Sequence, residues 1–428
     1  MHQLILTHLP WRTHKKSQQV VGLALLGNIL EYFDFTLFAH FGLIIAPLFF
    51  PTSDPVAVSL YSMGLLAIGF IARPLGGWIF GSIGDKYGRS KGLSLSMLGI
   101  IIPTLGIALL PTYNSIGIAA SICIILLRLA QGVALGGEYS TAAVFIIEHT
   151  PTKRHGLISS IICASGSIGS LAALACVEII SKSPFAAWAW RIPFLLAAVS
   201  GVITYHLRRR LYETPQFLAF QQNLSKQPIL EKTPWFTVGC IFAIGAVTAL
   251  FVWIPISYTP YYLTKILGWK LTQALPFTTL GLVSFMTFLI VTGFVADTVG
   301  HLKCMMVGLF LMIGLTYPAF WLLEHQYIAC FQILTTSFAG IFGATIHPIM
   351  INSCQLHQRC RHIGLYFTAG LSLFGGTAPF VCAYLFSLTH SHAWVSGYIV
   401  VIATSALFII RQLKFTKPSN NYLEPLMV

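Results

Sequence analysis

A succession of long apolar runs constrains this chain more than any other feature. A helical span of the bilayer core takes about 20 apolar residues. Twelve runs reach that length, at 19–48, 57–83, 92–111, 116–147, 157–181, 190–208, 236–264, 272–296, 302–323, 327–352, 362–388 and 393–413. Lipid offers no partner for backbone N–H and C=O groups, so each run has to be helical. The alternation that a barrel strand needs is absent. The expected fold class is an all-α membrane protein with twelve transmembrane helices. Charged residues make up only 9% of the chain, against roughly a quarter in soluble domains.

The net charge of +13 does not point to nucleic acid. The basic residues fall in short loops between apolar runs, with no long basic arm. With the N-terminus inside, the cytoplasmic segments hold 19 of the 25 Lys and Arg residues. The outer segments hold four: Lys182, Arg191, Lys265 and Lys270. That split predicts both termini in the cytoplasm. Met1–Pro10 is too short for a cleavable signal and is followed, not preceded, by basic residues. The nine cysteines are scattered, and the 14 histidines form no metal-ligand spacing, so neither a metal nor a cofactor is expected. His347, inside an apolar run, reads as a packed or hydrogen-bonded histidine. No nucleotide loop and no nucleophile–base set appears, which argues against an enzyme and against ATP drive.

Four charges crowd the short turn Gly81–Lys91, which reads G-S-I-G-D-K-Y-G-R-S-K. Gly84 and Gly88 permit close approach and unusual dihedrals. Asp85 can pair with Lys86, Arg89 or the end of a neighbouring helix. A degraded copy runs from Gly293 to Lys303 and contains Asp297. Asp85 and Asp297 lie 212 positions apart in a chain of 428, which predicts two similar halves. The expected division is a six-helix half at 1–208, a cytoplasmic linker at 209–234 and a second six-helix half at 235–428. The cytoplasmic gate is expected at Gly84, Asp85, Lys86, Gly88 and Arg89, with Glu148 and Asp297.

Ionisable groups inside the bilayer are costly unless paired or wetted, and so mark function. Glu31 and Asp34 share one helix face, and Asp34 lies ~27 Å along the helix from Lys16. Two carboxylates so placed repel when both are ionised, which suits proton carriage. Glu138 is also deep, on a run softened by Gly132, Gly136 and Gly137. Arg128 needs a carboxylate, either a protein acid, of which Asp34 is one candidate, or a substrate, and Gln131 shares its face. Arg73 sits ~18 Å from Asp85, placed to bind substrate or to pair with a helix acid. Glu148, nearer the cytoplasm, is expected to bridge to the Lys86/Arg89 turn. In the second half, Pro255 and Pro260 interrupt a helix rich in tyrosine. Tyr258 is the member best placed for a gate or a cation-binding face, and Tyr261 and Tyr262 suit an interfacial belt.

Several stretches together resemble one family. They are Gly27–Phe35 with Asn28 in it, Arg73–Gly77 before Gly84–Arg89, Arg128–Glu138 with Glu148–Pro151, and Trp190–Phe194 with Glu213–Pro215. The pattern resembles the metabolite:proton symporters of the major facilitator superfamily, which include proline/betaine, citrate, 2-oxoglutarate and shikimate transporters. The resemblance implies the major facilitator fold and a central cavity lined by the first and fourth helices. It departs at Thr298 and His301, where basic residues are usual, and at Cys354, where a Glu is usual. Ala164–Gly166 lacks the acid of osmolyte carriers, which weighs against betaine. The short tail after Lys417 argues against osmotic activation through a coiled coil.

The function expected is proton-coupled symport of a small carboxylate-bearing metabolite, a proline- or betaine-like osmolyte or an organic acid. Its setting is a bacterial inner membrane, and its partners are substrate, protons and lipid, with the chain a monomer. Proton-antiport efflux of a siderophore or drug is the alternative. A non-transporting receptor would not require the buried acids and Arg128. The proton-coupling candidates are Asp34, Glu31 and Glu138. The substrate-binding candidates are Arg128, Gln131, Asn28, Arg73 and Tyr258.

Overall fold

The structure, a computed structural model, describes residues 13–52, 54–181, 186–222 and 233–412. Lys182, part of the 209–234 connection (Asn223, Lys226, Glu231 and Lys232 among it) and the tail with Lys414 and Lys417 lie outside the described residues. Among the described residues there are helices and no strands.

The first long helix is α1 (Thr13–Phe49). The second apolar run is split at Ala72 into α2 (Pro55–Ile71) and α3 (Arg73–Tyr87), with Pro74 just inside α3. Then come α4 (Arg89–Leu109), α5 (Ile118–Glu148), α6 (His155–Ser181) and α7 (Arg191–Arg208). A short helix, α8 (Pro215–Gln222), starts the midpoint connection. The remainder is α9 (Trp235–Trp253), α10 (Leu271–Val299), α11 (His301–Glu324), α12 (Ile328–Gly343) and α13 (Ile346–Ser353). Last are α14 (Arg359–His362), α15 (Thr368–Thr389) and α16 (His392–Arg411).

Eleven helical stretches among the described residues are long and apolar enough to span a bilayer. The sixth run falls short of that measure because α7 is only 18 residues long and has Arg191 and Arg208 at its two ends. It is nonetheless a helix of the bundle, packed on α4 and α1. The outward faces are apolar and exposed, as at Ile102, Leu109, Val401 and Phe408. Exposed side chains of that kind suit lipid rather than water.

α1 packs on α6, α3 on α5, and α4 on α5 and α7. Later in the chain, α9 packs on α15, α10 on α12, and α11 on α12 and α16. Two seams join these groups: α6 runs along α10, and α3 runs along α14 and the turn after it. The second seam is very close. A Cβ added to Gly77 would sit 2.0 Å from the Gly364 carbonyl oxygen, and one added to Gly364 would sit 2.4 Å from that of Gly77. Only a hydrogen fits on either side.

Pro255 and Pro260 do interrupt their helix. The chain winds as π-helix at Ile254–Tyr258 and again at Tyr262–Ile266. A third π turn, Ile363–Phe367, links α14 to α15 beside the Gly77–Gly364 crossing. Such wide turns interrupt the regular backbone ladder and are frequent at functional sites.

Candidate transport site and cytoplasmic gate

The turn between α3 and α4 owes its shape to Gly88, whose φ of 111° is one that side chains disfavour. Gly300 has φ 109° in the degraded copy, between α10 and α11. Each turn aims one carboxylate across a seam. Asp85 accepts hydrogen bonds from the backbone N–H groups of Cys360 (3.0 Å) and Arg361 (2.9 Å), at the start of α14. Asp297 accepts from those of Gly156 (2.6 Å) and Leu157 (3.0 Å), at the start of α6. Carboxylates are favoured there because helix N-termini carry unpaired N–H groups and partial positive charge.

The first contact is reinforced by a buried ion cluster. Arg89 lies 3.6 Å from Asp85 and 3.2 Å from Glu148, and Arg359 lies 2.7 Å from Glu148. Arg89 also donates to the carbonyls of Gly84 and Leu356. The midpoint connection joins in. Thr214 donates to Glu148 at 2.6 Å, and Glu213 accepts from the N–H groups of Arg89 and Ser90 at the start of α4. Lys86 does not take part: it is exposed, with its ammonium over the Tyr87 ring. Glu148 therefore bridges to Arg89, as expected, but its second partner is Arg359. Around Asp297 the only ion-pair partner among the described residues is His301, at 3.4 Å.

Deeper, α1 carries Asn28, Glu31 and Asp34, all fully or almost fully buried. Asn28 donates to the Ile162 carbonyl (2.8 Å) and to Ser165 (2.7 Å), which ties α1 to α6. Asp34 and Arg128 do not touch directly. Arg128 donates to the side-chain oxygen of Gln131, and the Gln131 amide donates to Asp34. Thr104 lies 3.5 Å from the same Asp34 oxygen. Arg128 also stacks over Phe38, 3.7 Å from the ring centre, and one of its terminal nitrogens has no hydrogen-bond partner. Asp34, one candidate for the anion of Arg128, is linked to it through Gln131, whose amide is interposed and matches both charges at once.

Glu138 is fully engaged. Arg208 donates to it at 2.5 Å and Ser96 at 2.6 Å, while Arg208 also reaches the carbonyls of Leu23, Ala24 and Leu93. Arg208 counts as a loop charge in the sequence because it ends an apolar run. Its long side chain turns back into the bundle, where a buried ion pair with further hydrogen bonds is satisfied. Glu138 in this arrangement holds helices together.

Arg73 makes no ion pair within 4 Å among the described residues, and the acid whose charge acts on it is Glu31. Its guanidinium lies 4.5 Å from the Phe35 ring and 4.8 Å from the Phe70 ring, and its Nε has no partner. Phe35 and Phe70 in turn meet Trp253 of α9, at 4.9 and 5.5 Å between ring centres. This places Arg73 next to the meeting of early and late helices. Tyr258 sits apart from these groups: its hydroxyl lies 3.3 Å from His392, within a cluster that includes Tyr262 and Phe386. Tyr262 is itself buried rather than belt-like.

Sequence reasoning missed one polar link across the seam. His347, as expected, is hydrogen-bonded: one ring nitrogen meets Ser159 at 2.8 Å and the other meets the Tyr139 hydroxyl at 3.0 Å. Its partners lie 188 and 208 positions away, and no local pattern signals them. Among the described residues, no cluster of acids, His or Cys is placed to hold a metal.

Residues 24–324 match the family described as Major Facilitator Superfamily. The chain belongs to the Major Facilitator Superfamily. It is a multi-pass membrane transporter and not an enzyme. Among curated relatives, the glycine betaine/proline/ectoine/pipecolic acid transporter OusA of Dickeya dadantii is 28% identical over 414 residues, covering 91% of this chain and 82% of that protein. A putative proline/betaine transporter of Staphylococcus haemolyticus is 31% identical over 416 residues, covering 93% and 87%. Among solved structures, the proton:xylose symporter XylE bound to 6-bromo-6-deoxy-D-glucose superposes with a TM-score of 0.74 at 16% identity, covering 95% of this chain and 97% of that one. The human organic anion transporter MFSD10 superposes with a TM-score of 0.68 at 16% identity, covering 92% and 99%. Those two likenesses concern the fold.

Proposed function

We propose that this superfamily member is a proton-coupled symporter of a small carboxylate-bearing metabolite of the proline/betaine class. The observation that carries the reading is the Arg128–Gln131–Asp34 relay, buried in the bundle with one Asp34 oxygen unpartnered. Ionised Asp34 holds the Gln131 amide, which in turn holds Arg128. Protonation weakens the first contact and frees the second, so proton binding alters the cationic side of the site. Arg73, buried beside Phe35, Phe70 and Trp253 and without an acid in ion-pair contact, is the group best placed to receive a substrate carboxylate. Arg128, Gln131 and Asn28 then act behind it, and Tyr258 is assigned to outer-gate packing. The names of the relatives support the substrate class.

Within this reading, residues 1–208 and 235–428 form the two moving halves, 209–234 links them, and the chain works as a monomer. The setting is a bacterial inner membrane with both termini in the cytoplasm, from the charge split between loops. The turns at Asp85 and Asp297 form the cytoplasmic gate.

The test uses proteoliposomes with an imposed pH gradient, challenged with proline, glycine betaine, citrate, 2-oxoglutarate and shikimate. Accumulation driven by an inward proton gradient, abolished in Asp34→Asn while counterflow exchange persists, is the expected result. Accumulation that persists in Asp34→Asn excludes Asp34 as the coupling group. Movement only against the proton flow makes the protein an antiporter.

A further inference from the structure

A narrow cleft lies among α1, α4 and α7, with a cavity volume of about 10 Å³, room for a single water. Glu31 and Asp34 line it together with Thr104, and its walls include Ile101, Ala198 and Gly201. No lining residue comes from later than Gly201. The cleft is therefore separate from the seam where Phe35 and Phe70 meet Trp253.

Two buried carboxylate oxygens at this cleft have no hydrogen-bond partner, Glu31 Oε2 and Asp34 Oδ1. Buried acceptors are rarely left unsatisfied, and an ordered water is the usual remedy where there is room for one. The two residues are three apart on one helix face, so a single water can reach both. The charges nearest these two acids come from α3, α5 and α7. Gln131 of α5 donates to the other Asp34 oxygen and accepts from Arg128, Arg208 of α7 is held by Glu138 of α5, and Arg73 of α3, stacked on Phe35, is the cation whose charge acts most on Glu31. From α4 the polar neighbour is the neutral Thr104.

We propose that this cleft is a hydrated proton-access site, in which a water between Asp34 and Glu31 passes the proton within the early helices, apart from the route of the substrate. Hydronium gives its proton to a carboxylate oxygen and leaves as water, and release reverses the step. The inference rests on Asp34 as the coupling carboxylate. It adds that protons and substrate reach their sites by different paths.

Filling the cleft tests this. Ala198→Leu places a larger side chain in it, and Gly201→Ala pushes on Ile101, since a Cβ there would lie 2.9 Å from that side chain. Ala198→Ser is the control. The probe is the proton itself, followed by the infrared carboxylic-acid C=O band after a pH jump on the purified protein, alongside proline counterflow in proteoliposomes. The expected result is a band that disappears in Asp34→Asn and rises at least tenfold more slowly in Ala198→Leu, with counterflow changed less than twofold. Gly201→Ala should fall between Ala198→Leu and the unchanged Ala198→Ser. A wild-type rate in Ala198→Leu overturns the proposal, and so does unfolding of both filled variants, which would make the cleft packing space. If Asp34→Asn leaves the band intact, the coupling assignment fails instead, so the two failures are separable.

Discussion

Replacing Asp85 by Asn removes one charge and little volume, at the point where α3 holds the start of α14. The native carboxylate accepts two backbone hydrogen bonds, at 3.0 and 2.9 Å, and has Arg89 at 3.6 Å. Hydrogen bonds to a charged group contribute about 1.5–3 kcal/mol each. Asn offers one carbonyl acceptor and turns its NH2 toward the second N–H, so one bond is lost and the other loses its charge assistance. The closed gate should weaken by about 2–4 kcal/mol relative to the open one, which is about 30- to 700-fold in the opening equilibrium. Hydrogen exchange read by mass spectrometry measures this directly. Amides of the segment starting at Cys360 and Arg361 should exchange faster by that factor, while those of Gly156 and Leu157 respond less. Uptake should be largely lost, with substrate binding still measurable. Wild-type protection at 360–361 in a folded Asp85→Asn protein would refute the reasoning.

Other outcomes follow from the same geometry. Arg208→Ala leaves Glu138 buried without its cation and should cost about 3–5 kcal/mol, seen as a lower Tm in detergent; Glu138→Gln with Arg208→Leu should recover part of it. Gly77→Ala puts a methyl group against the Gly364 carbonyl and should disfavour the closed cytoplasmic side, increasing labelling of Cys360 by a thiol reagent added from the cytoplasmic face. Arg73→Leu should weaken carboxylate substrate binding at least 100-fold, in calorimetry on the purified protein, without lowering Tm. Cysteines at the exposed positions Ser115 and Tyr212 should label from opposite sides, with Ser115 outside; the reverse would invert the topology.

The spans were legible because the bilayer fixes their length, and the turns at Gly88 and Gly300 because a repeated motif carries its geometry with it. Long side chains were not legible in the same way. Arg208 closes an apolar run and counts as a loop cation, yet it folds back to Glu138, 70 positions earlier. Glu148 was readable as a partner of Arg89, but not of Arg359, which is 211 positions away. Gln131 was placed on the face of Arg128 by helical spacing. Its role between two charges depends on α1 lying against α5, which no local pattern specifies. Arg73 lacks an acid in ion-pair contact because aromatic faces from α1 and α2 enclose it, a packing outcome visible only in three dimensions. The cleft beside Glu31 and Asp34 depends on small residues of α7 that read simply as apolar.

The two loop carboxylates grip helix starts at two different seams, but with unequal backing among the described residues: Asp85 has Arg89, Glu148 and Arg359 behind it, and Asp297 has His301 alone. Had a duplicated ancestor kept both clasps equally strong, opening would demand that they fail together, with their costs added in one barrier. Divergence of one copy divides that barrier into two smaller steps. If the two turns gate transport as proposed, the Asp297 clasp should yield first, and the stronger one then bears the whole load and gives way with less to break. On that reading, erosion of the second motif gives a fixed order of release, and the better preserved turn should set the speed of the transport cycle.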